Sequence, residues 1–198
     1  MWEKLLQRSY FYGFTFYIRF DLDTKYKKCR TTRFFANNFS LSSLPMQQRL
    51  YIDTSVVGGY YDEEFKEVTQ QFFQRIEAKE FLIYFSEVNE TELVLAPQEV
   101  KDVKNKIPKE CLRYLEIDDE VEILAQTYIS EKALGKASTN DAYHIALASV
   151  NRLDCLVSWN FKHIVNFDKI KQFNSINLKL GYQLIDIRTP LEFLKYEN

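Results

Sequence analysis

The 198-residue chain holds only five glycines, four prolines and three cysteines, which excludes collagenous, low-complexity and disulfide-dense classes. Cys29, Cys111 and Cys155 are odd in number, far apart and outside any CxxC or Cys/His pattern, so neither a disulfide framework nor a zinc site is supported. They read as buried free thiols. Long hydrophobic runs are missing too. The uncharged stretch Ser9 to Ile18 is bracketed by Arg8 and Arg19, far short of the about 20 apolar residues of a spanning helix. No small-residue cleavage site follows it, so no membrane association is expected and the chain reads as cytoplasmic. An excess of basic charge is also absent: 26 Lys and Arg stand against 28 Asp and Glu. A site for a polyanion must therefore be local, or made by a metal.

What is present is a core-forming composition, 46% hydrophobic and 16% aromatic, suited to one globular domain. Charge divides along the chain. Residues 1–45 carry eight basic and three acidic side chains, and the remainder carries 18 and 25. The first stretch has crowded aromatics, then basic residues, then the polar run Asn37 to Ser43, with no clean period; a weak hairpin is one option. Residues 1–45 are expected to stand outside the core as an N-terminal extension, disordered or translated from a mis-assigned start, or as a small appendage or partner-binding arm. Residues 46–198 are expected to form the functional domain.

From Leu50 the periods sharpen. Leu50 to Ile52 reads as a buried strand ending at Asp53-Thr54-Ser55. Asp62-Glu63-Glu64 open a predicted helix with Phe65, Val68, Phe72 and Ile76 on one face and Lys79 near its end. Phe81 to Phe85 is a second strand. Glu87 to Ala96 and Gln98 to Lys106 read as short helices, the first ended by Pro97 and the second near Pro108. Asp119 to Lys132 and Ser138 to Asn151 read as helices, Cys155 to Ser158 as a strand, Asn166 to Leu180 as a helix stopped by Gly181, and Leu184 to Ile187 as a last strand. Strands alternating with helices predict an α/β fold, a parallel sheet covered on both faces.

In such sheets the carboxyl ends of the strands collect functional groups. Asp53 follows the first strand, Glu92 lies beyond the second, Asn160 follows the strand at Cys155, and Asp141 heads the helix after Ser138. Each also has an ordinary reading. Asp53 can cap the next helix, Asp141 stands at capping-box spacing from Ser138, and Glu92 shares a solvated face with Glu87 and Glu90. His144 can donate to Asp141 or serve as a half-buried structural residue, and Trp159 can stack on a base or pack. Taken singly, these residues decide nothing.

Their combination does. Leu-Tyr-Ile-Asp53-Thr-Ser-Val, Ser86 with Glu92-Leu93 six residues on, Asn140-Asp141-Ala-Tyr-His-Ile-Ala-Leu-Ala, and Leu156-Val-Ser-Trp-Asn160-Phe-Lys-His-Ile-Val-Asn together resemble the PIN-domain family, and within it the VapC-like toxins of type II toxin-antitoxin systems. The likeness covers about residues 49 to 190. It implies a three-layer fold, with a central parallel sheet flanked by helices, and a metal-dependent ribonuclease. By motif position it makes Asp53, Glu92, Asp141 and Asn160 catalytic, with Asp53, Glu92 and Asp141 as ligands of Mg²⁺ or Mn²⁺. Position 160 departs from the aspartate of many relatives. The resemblance also implies a cognate antitoxin and a homodimer.

Elementary electrostatics supports the same residues. Two like charges 4 Å apart repel by about 4 kcal/mol at an effective dielectric near 20, so gathered carboxylates need a retained proton or a cation. Hard oxygen donors select Mg²⁺ or Mn²⁺. The expectation is one weakly held ion on Asp53 and Asp141, a second arriving with the RNA phosphate and Glu92, and Asn160 orienting a water. Lys136, Lys162, His163, Lys169 and Lys171 would serve the approach of the phosphate backbone. Two rivals are a haloacid-dehalogenase-type phosphatase, disfavoured because position 55 is Ser, and a non-catalytic PIN-like module that binds RNA or protein.

Overall fold

The computed structural model describes residues 6–11, 14–19 and 47–194, and the chain divides into two units, 1–44 and 45–198. In the first, β1 (Leu6–Phe11) and β2 (Phe14–Arg19) pair antiparallel with Leu6 opposite Arg19. The hairpin option is thus realised; Cys29 and the polar run Asn37 to Ser43 lie outside the described residues.

The second unit is built on β3 (Gln48–Ile52), which has neighbours on both sides. Its alternation sends Leu50 and Ile52 into one core cluster and Tyr51 into another, all fully buried. A short helix α1 (Thr54–Gly58) and the longer α2 (Lys66–Glu77) lead to β4 (Phe81–Ser86), where Phe81, Ile83 and Phe85 join Leu50 and Ile52. Next come α3 (Glu87–Leu93), α4 (Gln98–Asp102) with a 3₁₀ turn over Val103–Lys106, and β5 (Leu112–Leu115). Helices α5 (Asp119–Ser130) and α6 (Thr139–Val150) precede β6 (Cys155–Val157), and α7 (Phe167–Leu180) precedes β7 (Ile187–Arg188).

The five strands run in the order β5-β4-β3-β6-β7, every pair parallel. Phe72, Phe73 and Ile76 of α2 cover one face; Leu124, Tyr128, Ile145, Leu147 and Phe173 of α5, α6 and α7 cover the other. This is the three-layer α/β arrangement expected. The chain leaves β3 toward β4 and later returns to its other side with β6. The crevice between the ends of β3 and β6 is therefore the topological switch point, where open α/β sheets place their ligands.

Several boundaries differ from the predicted ones for identifiable reasons. Asp62 accepts the backbone N–H of Glu64 at 2.9 Å, so the acids form a turn and α2 starts only at Lys66. Strand β5 was not expected: it is an edge strand whose residues are at most half buried, so it lacks a hydrophobic run. Of the last predicted strand only Ile187 lies within β7, because the Asn174 side chain takes both the N–H and the C=O of Ile185, at 2.8 and 3.1 Å. Gly181 adopts a φ of 86°, the left-handed C′ conformation that ends α7, and Tyr182 N–H closes on Asn177 O at 2.8 Å. Cys111 and Cys155 are buried free thiols.

Candidate functional site

Asp53 leaves the end of β3 in extended conformation, before α1, yet makes no side-chain cap bond. The capping role open to it in the sequence is not taken. Its Oδ2 instead accepts two hydroxyls, from Ser55 and from Ser158 at the end of β6, each at 2.6 Å. These serines are themselves fixed: Trp159 N–H donates to Ser55 Oγ and Asn160 N–H to Ser158 Oγ, both at 2.9 Å. Asp53 is only 5% exposed and is held across both strands of the crevice.

Glu92 reaches the same place from the last turn of α3. That helix starts with a reciprocal cap, in which Ser86 Oγ accepts Val88 N–H and Asn89 Oδ1 accepts Ser86 N–H. Asn89 also donates to Ile52 O at 3.0 Å, locking the helix to β3. From α6, Asn140 donates to Glu92 Oε1 at 2.9 Å. His144 lies on the same face of α6 as Asn140, four residues on, and its Nε2 stands 3.1 Å from Glu92 Oε2 and 3.5 Å from Asp53 Oδ1.

His144 is 1% exposed, not half buried, and its role here exceeds the one read from sequence. Its Nδ1 lies 2.8 Å from Tyr51 OH, which also contacts Ser86 Oγ at 2.7 Å and Asn89 Oδ1 at 3.0 Å. Asn89 Oδ1 also accepts Ser86 N–H at 2.9 Å, and the direction of the Tyr51–His144 hydrogen bond follows the tautomer of the ring. Nε2 faces both carboxylates, so a proton on the ring places a positive charge between them. Burial works against that charge, but the Glu92 hydrogen bond and the charges of Asp53, Glu92 and Asp141 raise the His144 pKa. Burial likewise pushes Glu92 up, and the bonds from His144, Thr54 and Asn140 overcome it, bringing its carboxyl down to about 2.

Asp141 stands beside this set. Asn160 Nδ2 donates to its Oδ1 at 2.8 Å. Burial, together with the charge of Asp53, raises its proton affinity, against a bond from Ser138 and the charges of His163 and His144. Ser138 makes no bond to the helix backbone, so the capping box is not formed. Asn160 is fully engaged: its Oδ1 accepts His163 N–H at 3.0 Å while its amide holds Asp141.

The four residues singled out in the sequence thus lie in one neighbourhood, joined directly or through one intermediate side chain. The most compact set is nevertheless Asp53, Glu92 and His144, whose ligand atoms all fall within 4.8 Å of one another. The sequence-based ordering paired Asp53 first with Asp141; in the structure Glu92 belongs to the compact set with Asp53. A buried carboxylate, a second one facing it and a third alongside make a donor set that fits a hard divalent ion. Ser55, Ser158 and Asn140 had no role of their own in the sequence reading, and His144 was read only as a donor to Asp141 or a structural residue. The available signal was position: Ser55 two residues after Asp53, Ser158 two before Asn160, and His144 one helical turn from Asp141. Among the cations expected to guide substrate, Lys162 is exposed, Lys169 donates to Ala133 O at 2.8 Å, and Lys171 sits over the Phe167 ring.

Comparison with known proteins agrees with the sequence resemblance. The PIN domain profile matches residues 50–169, more than half of the chain. Solved structures similar to it include a toxin-antitoxin complex from Klebsiella pneumoniae, at 15% identity and a TM-score of 0.45 over 61% of this chain and 93% of that one. FitAcB from Neisseria gonorrhoeae is 15% identical with a TM-score of 0.46, covering 73% and 99%. DNA-bound VapBC from Salmonella typhimurium is 16% identical with a TM-score of 0.44, covering 72% and 98%. No curated protein matches significantly.

Proposed function

The chain belongs to the PIN domain family, and we propose that it is a Mg²⁺- or Mn²⁺-dependent ribonuclease, a VapC-like toxin that hydrolyses RNA to 5′-phosphate and 3′-hydroxyl ends. The observation that carries this reading is the compact set of Asp53, Glu92 and His144 at the switch point, with Asp141 at its side. Asp53 and Glu92 would hold the ion, and Asp141 would complete a site with three carboxylates. When bound, the ion supplies an acidified water and neutralises charge on the phosphoryl oxygens.

The side chains have distinct tasks in this scheme. Ser55 and Ser158 take Asp53 Oδ2 and thereby turn Oδ1 toward the site. Asn140 does the same for Glu92 Oε1. Asp141, with its raised proton affinity, is the carboxylate suited to accept a proton from the attacking water. Asn160 fixes Asp141 and is a positioning residue, a role that replaces direct orientation of water.

The sequence resemblance supports a cognate antitoxin over the acidic site and a homodimer, and we place the protein in the cytoplasm. No helix among the described residues is long and apolar enough to cross a membrane. A second reading, a non-catalytic module that binds RNA or a protein, draws support from His144, whose ring when protonated puts a positive charge between two of the carboxylates.

Incubation with total RNA in Mg²⁺, Mn²⁺ or chelator, beside Asp53→Asn, separates the two readings. The ribonuclease cleaves only with metal and leaves 5′-phosphates, and the variant is slower by about a hundred-fold or more. A 2′,3′-cyclic phosphate product excludes the hydrolytic route, and RNA binding with no cleavage under any condition favours the module.

A further inference from the structure

The loop after β6 carries two aromatic rings with different fates. Trp159 is 9% exposed and committed to packing. It stacks on Phe65 with centroids 4.6 Å apart and planes 19° from parallel, and its indole N–H donates to Thr69 Oγ1 at 2.9 Å. Gly59 comes so close that a Cβ there would lie 2.8 Å from the indole. Phe161 leans on this pair, its centroid 6.0 Å from Trp159 and 6.2 Å from Phe65, and remains 50% exposed.

A single exposed phenylalanine is ordinary on a protein surface. This one is held in place on the loop that carries Asn160, the residue bonded to Asp141. Phe161 N–H donates to Trp159 O at 2.9 Å, and Ile164 and Val165 N–H both close on Asn160 O, at 3.0 and 2.8 Å. Asn160, the preceding residue, grips Asp141. The ring is thus one residue from a side chain bonded to the carboxylate set, on a loop with little freedom left to lose. On its other side come Lys162, exposed, and His163, close enough to Asp141 for their charges to interact. A half-exposed aromatic ring, a cation next to it in sequence and a loop bonded to Asp141 offer groups suited to the base, the phosphate and the reacting end of a nucleotide strand.

We propose that the exposed part of the Phe161 ring stacks a nucleobase next to the phosphodiester that the acidic set acts on. The proposal rests on the ribonuclease reading for its substrate. Because phenylalanine offers no hydrogen-bonding group, the stack holds the strand without selecting the base. Trp159, the aromatic that drew attention in the sequence, supports the platform from below.

The test uses the full chain with Phe161→Ala, Phe161→Leu and Phe161→Tyr, each checked for an unchanged Tm. Binding of a fluorescein-labelled single-stranded oligoribonucleotide is read by anisotropy in chelator, and cleavage of the same oligomer is read with Mn²⁺. The alanine variant is expected to bind about ten-fold more weakly and to lose a similar factor in kcat/KM, mostly through KM. Tyrosine restores both, and leucine does not. Alanine behaving as the wild type, or leucine restoring as well as tyrosine does, overturns the stack. Phe161-dependent binding without cleavage refutes the ribonuclease reading and supports the stack; cleavage indifferent to Phe161 does the reverse. A wild-type chain that binds no RNA overturns both.

Discussion

Two tyrosine hydroxyls are buried in the second unit, each against a serine and an asparagine, and their surroundings differ in one respect. Tyr128 OH donates to Asn177 Oδ1 at 2.5 Å and lies 3.4 Å from Ser149 Oγ, while Asn177 Nδ2 donates to that serine at 3.0 Å. This triad ties α5, α6 and α7 together and holds no ionisable group other than the phenol. Tyr51 meets Ser86 and Asn89 in the same manner but has a third partner, His144, and through it touches Glu92 and Asp53. Burial raises the pKa of both phenols, so both remain neutral. The parts alike in both triads are structural; the contact with His144 is what turns one of them into the floor of a site.

The sharpest way to break the comparison is to remove that contact. His144→Ala leaves Glu92 and Asp53 without the buried imidazole that both contact, and loss of one partner of a buried pair costs about 3–5 kcal/mol. Chemical denaturation in chelator should show it. Added Mg²⁺ or Mn²⁺ should then raise the Tm of the variant by more than that of the wild type, since a divalent ion supplies the missing charge. Equal metal responses would mean that the carboxylates do not share one ion. A smaller effect comes from the hydroxyls. Tyr51→Phe takes the partner from His144 Nδ1 and Tyr128→Phe takes the donor from Asn177 Oδ1, each at about 1–3 kcal/mol. The comparison requires matching losses of stability, with only Tyr51→Phe also shifting metal affinity in a calorimetric titration. A metal response to Tyr128→Phe would erase the distinction.

Much of this arrangement was legible before the fold was known, and the reason is geometrical. Buried strands such as Leu50 to Ile52 and Phe81 to Phe85 announce themselves as apolar runs, and the acids sit at their ends because loops there are held by rigid neighbours. Asp53, Glu92 and Asp141 could be picked out because the motifs around them stand in the order that resembles the PIN-domain family. The edge strand β5 could not, since half-exposed Leu-Arg-Tyr-Leu has no distinctive period. His144 was underrated for another reason. A lone histidine on a helix of small residues looks structural, and its value comes from Tyr51, 93 residues away in sequence, a contact no local pattern encodes. Trp159 and Phe161 look alike in the sequence; only packing separates the buried ring from the exposed one.

The mildest distinction between the two triads lies in pH. The triad around Tyr128 has no group that titrates between pH 2 and 8, whereas the one around Tyr51 adjoins two. Glu92 is depressed from 4.5 to about 2, so its contribution to stability is complete above its ordinary value and is lost as pH falls toward 2. His144 is raised from 6.5, so its contribution is complete below that value and drains away as pH climbs through the elevated one. The metal-free protein should therefore be most stable between about pH 4.5 and 6.5 as far as these two groups decide it, falling on either side by at most about 1.4 kcal/mol per pH unit for each proton exchanged. Denaturant midpoints measured across pH 3 to 9 in chelator read this directly. His144→Gln, which keeps a polar amide but cannot carry charge, should flatten the alkaline limb, and Tyr128→Phe should lower the whole curve without changing its shape. An alkaline limb that survives His144→Gln would place the titrating group elsewhere and leave the imidazolium without a role in holding the acids together.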